Sequence, residues 1–257
     1  MTGRARLTCS TDGAETAPPL VLLHSLGLDS SMWTAQAEAW ARTHRVICVD
    51  LPGHGRSQDV ACPETLAGLA DIVLETIDHT LAGRFDLCGL SLGGQIALYL
   101  AAHAPKRVRR LVACATAAKI GTAESWNERA AAVRTGGLEK IADMALERFF
   151  SPSFRTQAPD TYAGARATLL AVDSGAYLAC CAAIRDADLR PVVPSIAAPT
   201  LVLAGEVDVS TPPAVMGELA RRLPDAEFEV LPGVGHIFAL ESAREVSSRV
   251  GRFLSRA

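Results

Sequence analysis

Apolar and polar positions along the chain follow two alternating rhythms. Short apolar runs bounded by turn formers occur at 19–24 (P-L-V-L-L-H), 45–50 (R-V-I-C-V-D), 85–90 (F-D-L-C-G-L), 110–115 (R-L-V-A-C-A), 200–205 (T-L-V-L-A-G) and 227–232 (E-F-E-V-L-P). Runs this short and this continuously apolar predict strands of a parallel sheet covered on both faces. Stretches of helical period lie between them, near 31–42, 64–82, 92–104, 212–222 and 241–255. In the last of these, Val246, Val250, Phe253 and Leu254 share one stripe. Strand alternating with helix predicts right-handed crossovers and a doubly wound α/β architecture with a mostly parallel sheet.

The rhythm stops between about 118 and 192. That stretch holds no strand-like run, is rich in Ala and Arg, and is punctuated by S-P-S at 151–153 and A-P-D at 158–160. It predicts a helical insertion, and P-V-V-P-S-I-A-A-P then returns the chain to the sheet. The predicted organisation is a core of residues 1–117 and 193–257 with a helical lid, 118–192, over the carboxyl ends of the strands, where open α/β sheets bind ligands.

Composition narrows the function classes. With 257 residues, 49% hydrophobic and 21% charged, the chain can bury one sizeable core and is not a disordered one. A net charge of −3 and no basic run longer than K-R-V-R-R at 106–110 leave no electrostatic footprint for nucleic acid. The N-terminus lacks the apolar centre of a signal peptide and no window approaches 18 uninterrupted apolar residues, which predicts a cytoplasmic protein without a membrane partner. A homo-oligomer is compatible with the sequence. The seven cysteines lack C-x-x-C spacing, and Cys48, Cys88 and Cys114 fall inside predicted strands, so they are expected as buried reduced thiols. No H-x-x-x-H or Cys/His cluster is present, and neither metal nor cofactor is expected.

One polar residue stands out. In G-L-S-L-G, residues 89–93, Ser91 sits where a predicted strand gives way to a predicted helix. In that context the pattern predicts a nucleophile elbow, a turn so tight that glycines are needed on either side and the serine takes strained dihedrals. The helix that follows presents its N-terminus to developing negative charge. A serine needs a base. Among six histidines, His79 and His103 lie in helical patterns, His44 lies at the amino end of a strand, and His24 and His54 precede the serine. His236, in G-V-G-H-I-F after the last strand, is the predicted base in the order serine, acid, histidine. A-G-E-V-D-V-S offers Glu206 and Asp208, and Asp208, just beyond the strand end, is the expected acid that fixes the imidazole tautomer. Backbone N–H groups of Leu92 and Leu26 are the expected oxyanion donors, and His24 is expected to brace the loop carrying Leu26.

The set H-S-L-G-L-D-S-S-M-W (24–33), D-L-P-G-H-G-R-S (50–57), G-L-S-L-G-G (89–94) and G-H-I (235–237) resembles the α/β-hydrolase superfamily. Within it, T-A-A-K-I-G-T-A-E-S-W (116–126), R-A-A-A-V-R-T-G-G-L (129–138) and C-A-A-I-R-D-A-D-L-R-P (181–191) resemble 3-oxoadipate enol-lactonases of aromatic catabolism. The resemblance implies the α/β-hydrolase fold, the same Ser91, Asp208 and His236, no cofactor, and a small lactone bearing a carboxylate as substrate. Leu92 stands where many members have Met, G-V-G-H replaces small polar residues before the histidine, and the first sixteen residues look too short for the usual first hairpin. A carboxylated substrate calls for a cation in the lid, and Trp126, Arg129 and Arg134 are the candidates. Cofactor-free perhydrolase or haloperoxidase chemistry, carboxylesterase activity, and carbon–carbon hydrolysis of ring-cleavage products remain open alternatives on the same triad. Dehalogenase chemistry would want a carboxylate at position 91. A binding module on this fold need not keep all three triad members.

Overall fold

The computed structural model describes residues 6–256. Seven strands form one sheet: β1 (Cys9–Asp12), β2 (Pro19–Leu23), β3 (Arg45–Val49), β4 (Phe85–Leu90), β5 (Val108–Cys114), β6 (Thr200–Gly205) and β7 (Ala226–Leu231). Their spatial order is β1-β3-β2-β4-β5-β6-β7, and every pairing is parallel except β1 with β3. The six apolar runs of the sequence are β2 to β7. β1 escaped the pattern because a four-residue edge strand, C-S-T-D, needs no apolar run: two of its residues are exposed and two half-buried. Among the described residues, β1 is the one antiparallel strand and lies at the sheet's edge.

Eleven α-helices follow among the described residues: α1 (Thr34–Trp40), α2 (Leu66–Thr80), α3 (Leu92–His103), α4 (Ala123–Gly136), α5 (Glu139–Phe149), α6 (Pro152–Gln157), α7 (Pro159–Ala171), α8 (Ser174–Asp186), α9 (Pro213–Arg222), α10 (Phe238–Glu241) and α11 (Ala243–Leu254). All residues of β4 and β6 are buried, as a sheet covered on both faces requires. α1 packs on α11, where the Trp40 indole N–H donates to the Ser247 carbonyl at 3.0 Å, and α2 packs on α3. The expected last helix is α11, and the short helix α10 precedes it, divided from it at Ser242. No single described helix is long and apolar enough to cross a membrane.

Helices α4 to α8 all lie between β5 and β6 in the chain. Local signals set their ends: a capping box between Thr122 and Ser125 opens α4, Ser151 caps α6, and Asp173 caps α8. On α5 the buried stripe Ile141, Ala142, Ala145, Leu146 and Phe149 turns inward at helical spacing. The two ends of the insert are joined by Leu189 N–H to Ala118 O (2.8 Å), and the insert is tied to the core by backbone bonds from Asp173 N–H to Gly53 O (3.0 Å) and Ile237 N–H to Phe149 O (2.9 Å). Cys48, Cys88, Cys114, Cys180 and Cys181 are buried free thiols.

Candidate active site

Ser91 occupies the turn from β4 to α3 with φ 57° and ψ −114°, a region that non-glycine residues rarely enter. Three bonds hold it there: its N–H donates to Cys114 O (3.0 Å), and its carbonyl accepts from Gln95 N–H (2.9 Å) and the Thr116 hydroxyl (2.8 Å). The flanking glycines are sterically required. A Cβ on Gly89 would lie 2.1 Å from the Gly93 carbonyl oxygen, and one on Gly93 would lie 2.4 Å from that of Leu23 on β2. Leu92 begins α3, so its N–H is a first-turn donor without an intrahelical acceptor.

His236 and Asp208 come from the loops after β7 and β6. The His236 Nδ1–H donates to Asp208 Oδ2 at 2.8 Å, with both side chains nearly inaccessible. The carboxylate also accepts from the Thr211 hydroxyl (2.7 Å) and from the Ser210 and Thr211 N–H groups (2.7 and 3.1 Å). Burial alone would raise its pKa, but the His236 charge and these hydrogen bonds outweigh it and hold Asp208 at about 2. Asp208 therefore stays ionised, and a carboxylate accepting from Nδ1–H leaves Nε2 with a free lone pair to take a proton. Glu206, the other candidate, is exposed and accepts Gly233 N–H at 2.7 Å instead.

His24 and His54 are fully buried and brace the loop carrying Leu26. His24 donates from Nδ1 to Ser25 O (2.8 Å) and accepts Leu51 N–H at Nε2 (2.8 Å). His54 donates to Pro52 O (2.9 Å) and accepts Gly27 N–H (3.3 Å). Burial lowers both pKa values, that of His54 to about 3, so both rings are neutral, as their acceptor roles demand. His44 sits beside Asp86 and Arg109, away from the cavity, and His79 and His103 are exposed.

Ser91, His236 and Leu26 open into one cavity of about 350 Å³ whose far wall comes from the helical insert. Its apolar lining includes Ile120, Met144, Phe149 and Ile184, and the Phe149 ring lies nearly parallel to the His236 imidazole, with centroids 6.2 Å apart. Trp126 lines the cavity, half-buried, with its indole N–H held by Ile120 O (2.7 Å). The Arg129 guanidinium lies over that indole, 5.1 Å from the ring centroid.

Arg134 is not brought into the cavity; it is exposed. Five residues along an α-helix turn a side chain by about 140°, so Arg129 and Arg134 cannot face the same ligand. A cation that the sequence did not single out takes its place. Arg148, near the end of α5, lines the cavity beside Arg129, and its pKa is lowered by desolvation and then by the Arg129 charge. Its only sequence signal is its place one residue before the apolar stripe residue Phe149. Among the described residues, no three His, Cys, Asp or Glu side chains group as a metal site.

The sequence model of the alpha/beta hydrolase fold matches residues 18–243. The chain belongs to the α/β-hydrolase family. It is 34% identical over 250 residues to 3-oxoadipate enol-lactonase 2 of Acinetobacter baylyi, covering 97% of this chain and 93% of that one. The crystal structure of the enol-lactonase of Burkholderia xenovorans superposes with a TM-score of 0.94 at 37% identity, covering 97% of this hydrolase and 96% of that chain. A malate-bound thermophilic esterase of Thermogutta terrifontis superposes with a TM-score of 0.90 at 30% identity, over 96% and 92% of the two chains. These relatives, together with the fold, make the protein a hydrolase of carboxylic ester bonds.

Proposed function

We propose that this hydrolase opens a small lactone bearing a carboxylate, with 3-oxoadipate enol-lactone, opened to 3-oxoadipate, as the substrate that fits best. The observation that carries the reading is the pair of guanidinium groups, Arg129 and Arg148, against the single carboxylate Glu128 in the wall of a partly apolar cavity that also holds Ser91 and His236. Two cations against one carboxylate leave the wall with an excess of positive charge, and a substrate carboxylate can join them with charge-assisted hydrogen bonds. The two enol-lactonase relatives and the malate-bound esterase support the same choice.

In this reading Ser91 is the nucleophile, His236 the base and Asp208 the acid partner. Ser91 Oγ attacks the lactone carbonyl as its proton passes to His236 Nε2. The tetrahedral oxyanion accepts from the N–H groups of Leu92 and Leu26, aided by the N-terminus of α3. Collapse breaks the ring C–O bond, and the departing enol oxygen takes the proton from the imidazolium. The enol stays tethered through the acyl chain, so the ring opens without release of a fragment. A water molecule, deprotonated by His236, then cleaves the acyl-enzyme, and the enol tautomerises to the ketone. Lid helix α4 supplies Arg129 and, in Trp126, a flat surface for the ring.

The test compares kcat/KM for the enol-lactone and for an uncharged aryl ester in Arg129→Ala and Arg148→Ala. Loss of a charge-assisted contact of about 1.5–3 kcal/mol lowers the lactone value roughly tenfold to hundredfold. The uncharged ester should change less than about threefold, because it never uses that contact. Equal losses on both substrates, or none on either, would place the carboxylate elsewhere. Lys at either position should recover only part of the loss, since it keeps the charge without the planar fork.

A further inference from the structure

The insert and the loop carrying His236 are joined by a side chain that neither the triad nor the cavity accounts for. Glu241 ends the short helix α10, five residues after the histidine. One carboxylate oxygen, Oε1, accepts both Gly235 N–H (3.1 Å) and Ser151 N–H (2.8 Å), and the other, Oε2, accepts the Ser151 hydroxyl (2.7 Å). Gly235 adjoins the histidine, and Ser151 opens α6 of the insert. The backbone bond from Ile237 N–H to Phe149 O lies alongside, and the Phe149 ring faces the imidazole.

We propose that Glu241 is a positioning residue that holds the His236 loop against the insert and so keeps the imidazole aimed at Ser91. A carboxylate accepting three hydrogen bonds from two chain segments, ninety residues away and six residues away, is a strong cross-tie. The fit around it leaves no slack. A Cβ on Gly235 would lie 2.8 Å from Glu241 Oε1 and 2.9 Å from Ser151 N. On the other side, a Cβ on Gly205 would lie 2.2 Å from the Gly235 carbonyl oxygen, so the loop is clamped between the end of β6 and the insert. Without the carboxylate, two N–H groups on facing segments lose their shared acceptor, and the loop can drift from the insert. Displacement of a catalytic group by about 1 Å costs on the order of a hundredfold in rate.

The proposal rests on His236 being the base but not on the choice of a lactone, so the assay uses an uncharged aryl ester. His236→Ala is measured beside the Glu241 variants: retained activity there would sink the triad reading, whereas the Glu241 results bear on the cross-tie alone. In Glu241→Ala, kcat should fall about tenfold to hundredfold while KM stays within about twofold, because binding of a small ester does not use the loop. Glu241→Gln keeps an acceptor for the two N–H groups and should return kcat to within about fivefold of wild type. Ser151→Ala removes the insert's hydroxyl, and with it the N-cap of α6, so it is measured with the melting temperature alongside and should lower kcat by about threefold to tenfold. It also tests the cross-tie if Glu241→Ala does not fold. Combined with Glu241→Ala, it should add less than about twofold, since both changes break one connection. Unchanged kcat in folded Glu241→Ala, a loss that Gln fails to recover, or multiplicative losses in the double variant would overturn the proposal.

Discussion

Replacing Asp208 by Asn changes one atom and should reverse the tautomer of His236. Oδ1 accepts two backbone N–H groups, from Ser210 and Thr211, so the amide oxygen must stay on that side. The NH₂ then replaces Oδ2, facing His236 Nδ1 and the Thr211 hydroxyl, which can turn round to accept. A donor now meets Nδ1, the ring proton moves to Nε2, and Nε2 can no longer take the Ser91 proton. Flipping the amide to restore the working tautomer would set NH₂ against two N–H donors, at a cost of about 1–3 kcal/mol for each lost hydrogen bond. The Asn also loses its charge beside the imidazolium. The depression of the Asp208 pKa from 3.8 to about 2 is what remains of that interaction and its hydrogen bonds after burial has opposed them, a net of about 2 kcal/mol. Together these amount to about 4–8 kcal/mol, a loss in kcat of at least about a thousandfold. The check is steady-state kcat on an aryl ester with the melting temperature measured alongside. A folded Asp208→Asn protein within about tenfold of wild type would refute the reasoning. Glu206→Gln is the control: its loop bond to Gly233 N–H needs only an acceptor, which Gln retains, so kcat should stay within about threefold.

Ser91→Ala should leave the melting temperature near that of wild type and lower kcat by several orders of magnitude, and adding His236→Ala should cost little more, because the two act as one unit; stepwise, multiplicative losses would argue against a shared proton transfer. Stability should fall with acid in two stages, read as melting temperature against pH. His24 and His54 have folded pKa values below the ordinary 6.5, so the unfolded chain binds their protons first, and stability complete above pH 6.5 drains away toward about pH 3. The depressed Asp208 adds stability present above pH 3.8 and lost as the pH falls through about 2, and this lower stage, to which the lowered Asp50 and Asp188 also contribute, should be smaller in Asp208→Asn.

What the sequence determined by itself is local. Six of the seven described strands were legible: β2 to β6 because a buried parallel strand is largely apolar, and β7, an edge strand with one buried residue, through its short run F-E-V-L, whereas the half-exposed β1 carries no such run. The elbow at Ser91 was legible for a related reason: the steric need for Gly89 and Gly93 is met within a few residues of chain, and the strained serine follows from it. The order of serine, acid and histidine pointed to His236 and to the loop after β6, where Asp208 was preferred to Glu206 for its place beyond the strand end, and the structure places the two side chains 2.8 Å apart. Tertiary structure alone decided the rest. Nothing within α4 or α5 says that Arg148 rather than Arg134 stands beside Arg129, since that depends on how two helices pack against each other. Nothing near Glu241 says that its partner is Ser151, ninety residues earlier. Periodicity and turn chemistry act over one or two turns of chain, whereas the meeting of distant side chains is set by the packing of whole elements, whose contacts are compared only when the chain closes on itself.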